Sequence, residues 1–312
     1  MSMRPTSFIT DWTSEKADFW ASRPQQIGHA LNKHPLFLMG ALADLIDHYP
    51  REHYSLIHMG ATDGKREWRE GDIGGANGGQ VIEAISRGRM WLNLRNVSGV
   101  DARHRALLDE IFADLSEKIP GFRAPTHQSG ILISSPSAQV YYHCDLPGQL
   151  LFQMHGTKRV YVYPNYAPFV TPEHLENIAL FDLEVDMPYE PAYDRHAQVF
   201  DLKPGKFLSW PLNAPHRVEN VEGVNISMTV SYTSPEIRRG EVVHLANGLL
   251  RHRLGITPRS RAITGAGYWS KAMLQKAMRD SKWVKKERSA RRSIEFRLDR
   301  NRPGEILELA GA

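Results

Sequence analysis

The sequence predicts a mainly β core, a sandwich or small barrel, held between helical flanks. Two observations predict it. Between about residues 130 and 233 the chain reads as eight short β-like runs separated by turn residues, with no helical period between them to make parallel crossovers. Helical periodicity is confined to the segments before residue 121 and after residue 233.

In the first third, an apolar stretch over 36–46 stops at His48-Tyr49-Pro50. A clearer helix follows over 101–119, where Leu107, Leu108, Ile111, Phe112 and Leu115 recur at the spacing of one buried face, Asp101 caps the start and Pro120-Gly121 ends it. The glycine-rich stretch 71–79 lacks the Lys-Ser/Thr pair of a phosphate cradle and reads as a loop. The β-like runs are 131–134, 140–143, 149–154, 158–163, 198–202, 207–210, 217–221 and 226–232. Ser234-Pro235-Glu236 is a helix start, and from there the chain is expected to run helical to its end. One stripe holds Val242, Leu245, Ala246, Leu249 and Leu250, and a second holds Trp269, Met273, Leu274, Ala277 and Met278.

A chain of 312 residues buries a full core without metal or disulfide staples, so a metal here would serve chemistry rather than folding. The single cysteine, Cys144, excludes an intrachain disulfide and any multi-cysteine zinc or iron–sulfur site. Residues 1–12 have no apolar leader core and no stretch approaches the length of a membrane span, so a cytoplasmic location with no membrane partner is expected. The net charge of +4 is uneven: residues 237–312 hold 18 Lys and Arg against 7 Asp and Glu, which makes that part +11 and the remainder −7.

The most informative tripeptide is His143-Cys144-Asp145. Residues two apart on a strand share a face, so the imidazole and the carboxylate reach one ion while Cys144 points away. Taken alone, such a pair more often makes hydrogen bonds to each other or to a turn than it holds a metal. The segment from Asp201 to Val218 adds weight: Pro204-Gly205 launches a short strand, a proline-bounded loop follows, and His216 opens the next strand, returning toward a partner strand in a small barrel. Two histidines and one carboxylate leave metal positions open, as in non-heme Fe(II) oxygenases, although zinc hydrolases use such ligands too.

Residues 140–218 resemble the core of the JmjC-type cupin hydroxylases, whose members include the asparaginyl hydroxylase of hypoxia-inducible factor. Three elements carry the resemblance, in order and at family-like spacing: His143-Cys144-Asp145; His155-Gly156-Thr157-Lys158-Arg159 before a strand ended by Pro164; and Pro204-Gly205 through Pro211 to His216. The resemblance implies a double-stranded β-helix of the cupin/jelly-roll, JmjC type, with an N-terminal α+β flank at 1–122, the metal-bearing β core at 123–236 and a basic helical extension at 237–312. It implies Fe(II) held by His143, Asp145 and His216, and 2-oxoglutarate anchored by Lys158, with Gln149 and Ser231 assisting. Where relatives often carry Thr-Pro this chain has Val140-Tyr141-Tyr142, so Tyr141 or Tyr142 is expected to replace the missing hydroxyl. The implied activity is hydroxylation of a protein, peptide or small-molecule C–H. Two rival readings are a cupin metalloenzyme that does not use 2-oxoglutarate and a non-catalytic cupin-like binding module.

Independently of the resemblance, a lysine inside a barrel needs an anion, because burying an unpaired ammonium costs several kcal/mol. His155, His174 and His196 are weaker ligand candidates than His216, set beside a tight turn, at a helix start and in the long insertion. Asp182, Glu184 and Asp186 alternate with apolar residues and read as a solvated strand face. The run Lys282-Trp283-Val284-Lys285-Lys286 through Arg291-Arg292 reads either as a dock for RNA, ribosome or an acidic partner, or as a solvated helix whose Trp283 packs on the core or a dimer partner. The resemblance further suggests a homodimer formed through C-terminal helices.

Overall fold

In the computed structural model, residues 7–59, 68–181, 187–278 and 294–309 are described. In chain order the elements are α1 (Ser14–Asp18), β1 (Gln25–Gly28), α2 (Met39–Asp47), β2 (Tyr54–Met59), β3 (Trp68–Asp72), α3 (Gly78–Arg87), β4 (Met90–Leu94), α4 (Val97–Val100), α5 (Ala102–Lys118), β5 (Thr126–Ser134), β6 (Gln139–His143), β7 (Gly148–Val162), α6 (Pro172–Phe181), β8 (Gln198–Leu202), β9 (Lys206–Ser209), β10 (His216–Thr233), α7 (Pro235–Leu254), α8 (Gly265–Met278), β11 (Ile294–Leu298) and β12 (Ile306–Glu308).

Local chemistry accounts for the flanking helices. The Asp101 carboxylate accepts from the backbone N–H groups of Arg103 (2.8 Å) and His104 (3.2 Å), satisfying donors that the first turn of α5 leaves unpaired. Its five periodic apolar residues are all buried against the sheet. Ser234 Oγ caps α7 by accepting from Ile237 N at 3.2 Å, and Gly255, at φ +65°, ends it.

The β core departs from the expected set of separate short strands. The runs 149–154 and 158–163 form one fifteen-residue strand, β7, and the runs 217–221 and 226–232 form one eighteen-residue strand, β10. Gly156 (φ +69°) and Gly223 (φ +63°) look like turn punctuation in the sequence. Here they absorb a bulge: the β7–β10 register shifts between Asn220 and Ser227, and both strands bend there without reversing. As a result the first part of β10 pairs with β6 and its second part with β5, while β7 pairs with β9 at one end and β8 at the other. The two bent strands wrap a single interior.

Inside it, Leu151, Val160, Val162, Leu202, Leu208, Trp210 and Val218 form an apolar wall. Outside, one face carries α2, α3 and α5 on the largest core, and the other buries Tyr142, Cys144, Tyr163 and Phe169 beneath the insertion that follows β7.

Four expectations are corrected. The stretch 71–79 is not all loop, since Gly71 lies in β3 and Gly78 opens α3. The second α8 stripe is rotated: Tyr268 is the buried residue, whereas Trp269 and Met273 are exposed. In α7, Val243 is buried, while Val242 and Leu250 are only half-buried. The chain is not helical to its end, because Ile294, Phe296 and Leu298 alternate with Glu295 and Arg297, the period of a strand. Strand β11 adds in parallel to β3, and Phe296 packs flat over Gly71, where a Cβ would come within 2.3 Å of the ring. The acidic positions 182, 184 and 186 and the basic run 282–292 lie outside the described residues.

Candidate metal centre and its cavity

Strand alternation sends His143 into the barrel and Tyr142 out into the aromatic cluster; in the loop that follows β6, Asp145 joins His143 at the site while Cys144 is buried in that cluster. His216 is the first residue of β10 and sits opposite His143 in the β6–β10 ladder. Their ring centroids are 4.1 Å apart at 54°, and His216 Nε2 lies 3.4 Å from Asp145 Oδ2. One ligand atom from each of the three residues falls within 4.8 Å of the others, the only such group among the described residues.

Both imidazoles are oriented by the main chain. His143 Nδ1 is 2.7 Å from the Tyr141 carbonyl and His216 Nδ1 is 3.2 Å from the Ala214 carbonyl. A carbonyl only accepts, so each Nδ1 carries the proton and each Nε2 is left with a lone pair at the site. Burial, and then the neighbouring His143, holds His216 well below its usual pKa, so it is a neutral ligand at pH 7. Burial also raises the Asp145 carboxyl, an effect that His143 opposes. Two imidazole Nε2 atoms and a desolvated carboxylate converging on one point fit a divalent cation and leave further coordination positions open.

The triad lines a cavity of about 350 Å³, a volume in the range of small-molecule sites. Lys158 lines the same cavity. It is only 2% exposed, and no hydrogen bond or ion pair reaches it among the described residues. Burial lowers its pKa to about 8. Arg159, of opposite parity, faces out and pairs with Asp201 at 2.8 Å. Among the described residues the cation in the cavity has no counter-ion, and a carboxylate is its natural complement.

Gln149 and Ser231 are register partners on β7 and β10, and both line the cavity. Tyr141 is not among the lining residues; it packs beside Ile57, Met59, Trp91 and Leu132. The expectation that Tyr142 supplies a hydroxyl fails, since it faces outward and donates to the Phe169 carbonyl at 2.8 Å. His155 bonds the Phe37 carbonyl, His174 accepts from Thr171 N, and His196 packs on Phe169, so none of the three joins the triad. The sequence reading missed the walls supplied by β4, β5 and β10: Trp91, Asn93, Gln128 and Thr229. Their alternation along the strands was a signal, but a polar residue at period two reads equally as solvent-facing.

These features define a barrel of the cupin/JmjC-like class with helices at both flanks. Residues 93–236 match the family model described as a cupin-like domain. An X-ray structure of ycfD from E. coli superposes with a TM-score of 0.51 at 18% identity, covering 90% of this chain and 71% of that one. A structure described as Escherichia coli ribosomal oxygenase YcfD gives 0.49 at 17% identity over 92% and 74% of the two chains. The same E. coli protein in complex with cobalt and 2-oxoglutarate gives 0.47 at 19% identity over 89% and 72%. No curated protein matches the sequence.

Proposed function

We propose that this chain is an Fe(II)- and 2-oxoglutarate-dependent oxygenase that hydroxylates a substrate C–H. The observation that carries the reading is Lys158: a buried ammonium, without a partner among the described residues, sharing one cavity with a His-Asp-His triad. A triad alone suits several metals and reactions. The added cation calls for a second anionic ligand inside the barrel, which a hydrolytic metal site does not need.

When bound, Fe(II) and 2-oxoglutarate supply oxygen activation, with the cosubstrate leaving as succinate and CO2; the chain's own residues bind, orient and exclude. His143, Asp145 and His216 hold the metal through Nε2, carboxylate and Nε2. Lys158 neutralises the far carboxylate of the cosubstrate, and Gln149 and Ser231 offer uncharged hydrogen-bonding groups on the facing wall. Leu151, Val218 and Trp210 supply an apolar part of the wall beside the triad. A protein or peptide is the substrate class to examine first, on the likeness of the motifs to a protein hydroxylase. Among the described residues no helix is long and apolar enough to cross a membrane. The location proposed is the cytoplasm, and a homodimer and a basic contact through Lys282 to Arg292 remain part of this proposal.

The test is anaerobic titration of the apoprotein with Fe(II) and 2-oxoglutarate, following the visible charge-transfer band of the chelate. The band is expected in the wild type and absent from His216→Ala and Lys158→Ala. Folded wild-type protein that binds metal without the band would sink the cosubstrate assignment.

A further inference from the structure

Asp145 lies beyond the end of β6, in the loop 144–147, so the ladder that fixes His143 does not extend to it. A different segment ties it down. The Asn213 carboxamide donates from Nδ2 to the Asp145 carbonyl at 2.9 Å and, at 3.4 Å, to that of Leu146. In return, the Asn213 carbonyl accepts from Cys144 Sγ at 3.2 Å. Asn213 adopts φ +58°, the left-handed region that asparagine tolerates better than most residues. Its turn is closed independently of its side chain, by Ala214 N donating to the Pro211 carbonyl at 3.0 Å and Asn165 Nδ2 to the Leu212 carbonyl at 3.1 Å. The same turn presents the Ala214 carbonyl that orients His216.

We propose that Asn213 is the positioning residue of the metal centre: its carboxamide clasps the Asp145 loop to the turn before His216 and so sets the separation of the carboxylate from that imidazole. This rests on the reading of His143, Asp145 and His216 as metal ligands. Asn213 touches no reacting atom and acts only through Asp145.

Asn213→Gly is the decisive variant, because glycine keeps the left-handed turn at no steric cost and removes only the clasp. The readouts are Co(II) affinity, from the d–d absorption in a titration of the full chain, and the thermal midpoint of the apoprotein. Co(II) binding is expected to weaken about 10- to 100-fold, the usual consequence of losing a group that orients a ligand. The apo midpoint is expected to stay within about 2 °C, since the 2.9 Å hydrogen bond and its weaker 3.4 Å companion contribute little net stability. A merely structural role would instead lower midpoint and affinity together. Affinity within about threefold of wild type would overturn the proposal, the loss expected from a positioning group being tenfold or more.

Should the glycine variant not fold, the wild type decides: the Asn213 side-chain N–H protons, labelled with nitrogen-15, should exchange at least about tenfold more slowly than those of a free carboxamide. Fast exchange overturns the clasp. Wild-type protein that binds no Co(II) overturns the metal reading and this role with it, whereas Co(II) binding without a 2-oxoglutarate response affects only the cosubstrate reading.

Discussion

Lys158 and Asn220 face each other across the β7–β10 ladder, yet the Asn220 carboxamide donates away from the ammonium, to Ser134 Oγ at 2.9 Å and the Ser135 carbonyl at 2.6 Å. The polar side chain opposite Lys158 in register is thus engaged elsewhere and gives the ammonium no partner.

Replacing Lys158 by Met should make the empty protein more stable while destroying anion binding. Holding the lysine pKa near 8 in the fold, against 10.5 outside it, corresponds to a cost of about 3 kcal/mol at neutral pH. Methionine fills a similar volume without that cost, so a gain of about 2 kcal/mol and a few degrees of midpoint is expected. Thermal unfolding with and without 2-oxoglutarate checks both halves: the cosubstrate should raise the wild-type midpoint and leave the variant unmoved. A variant less stable than wild type would show that Lys158 has a partner in the empty protein.

The same residue predicts a pH dependence. Between about pH 8 and 10.5 the unfolded chain holds a proton on Lys158 that the folded chain has lost, so this group's contribution to stability rises with pH across that window. The midpoint gap between Lys158→Met and wild type should therefore narrow from pH 7 to pH 10. Cosubstrate affinity should move the other way, falling about tenfold per pH unit above pH 8, because the carboxylate requires the charged ammonium. A dissociation constant flat from pH 7 to 9.5 would contradict it.

Metal removal should cost function and not fold. The largest apolar cluster includes none of the three triad residues, and the chain is large enough to need no metal staple. Chelated protein and His216→Ala should keep the far-ultraviolet circular dichroism of the metal-loaded wild type. Cooperative unfolding on chelation would mark the metal as structural.

Phe296 and Gly71 are predicted to be strongly coupled. Phe296 is fully buried, and its truncation to Ala should cost about 3–5 kcal/mol. Gly71→Ala places a methyl group where the ring lies and should force β11 off β3. In the double variant the new methyl occupies space the ring has vacated, so the two costs should fall short of adding. Additive losses in a double-mutant cycle would argue against direct packing.

How far the sequence could be read follows from how locally each feature is written. The alternation expected at His143-Cys144-Asp145 and the proline-bounded loop before His216 are written in short stretches, so the three residues that come together were legible there, although Asp145 lies in the loop beyond β6. Strand parity groups Lys158 with Val160 and Val162 and Arg159 with Tyr161 and Tyr163 without choosing the inward cation, and the resemblance singled out Lys158. The far wall was not: Trp91 and Asn93 reach the cavity through pairing between distant strands, with Asn93 opposite Leu132. The union of short runs into β7 and β10 was hidden because a glycine at positive φ signals a reversal and a bulge alike. Strand β11 carried a plain period-two signature, masked by the basic, helix-favouring residues before it. Asn213 left no sequence signal, since a carboxamide reaching another segment's carbonyl has no periodicity.

The protonation of the two ligand imidazoles is governed by carbonyl groups, at residues 141 and 214, which every amino acid possesses. The chemical identity of the metal ligands is therefore insulated from mutation around them. Substitutions at those two positions change packing but leave the lone pairs aimed at the ion. Substitutions can thus remodel the mouth of the barrel while the orientation of the two imidazoles in the candidate metal centre is kept.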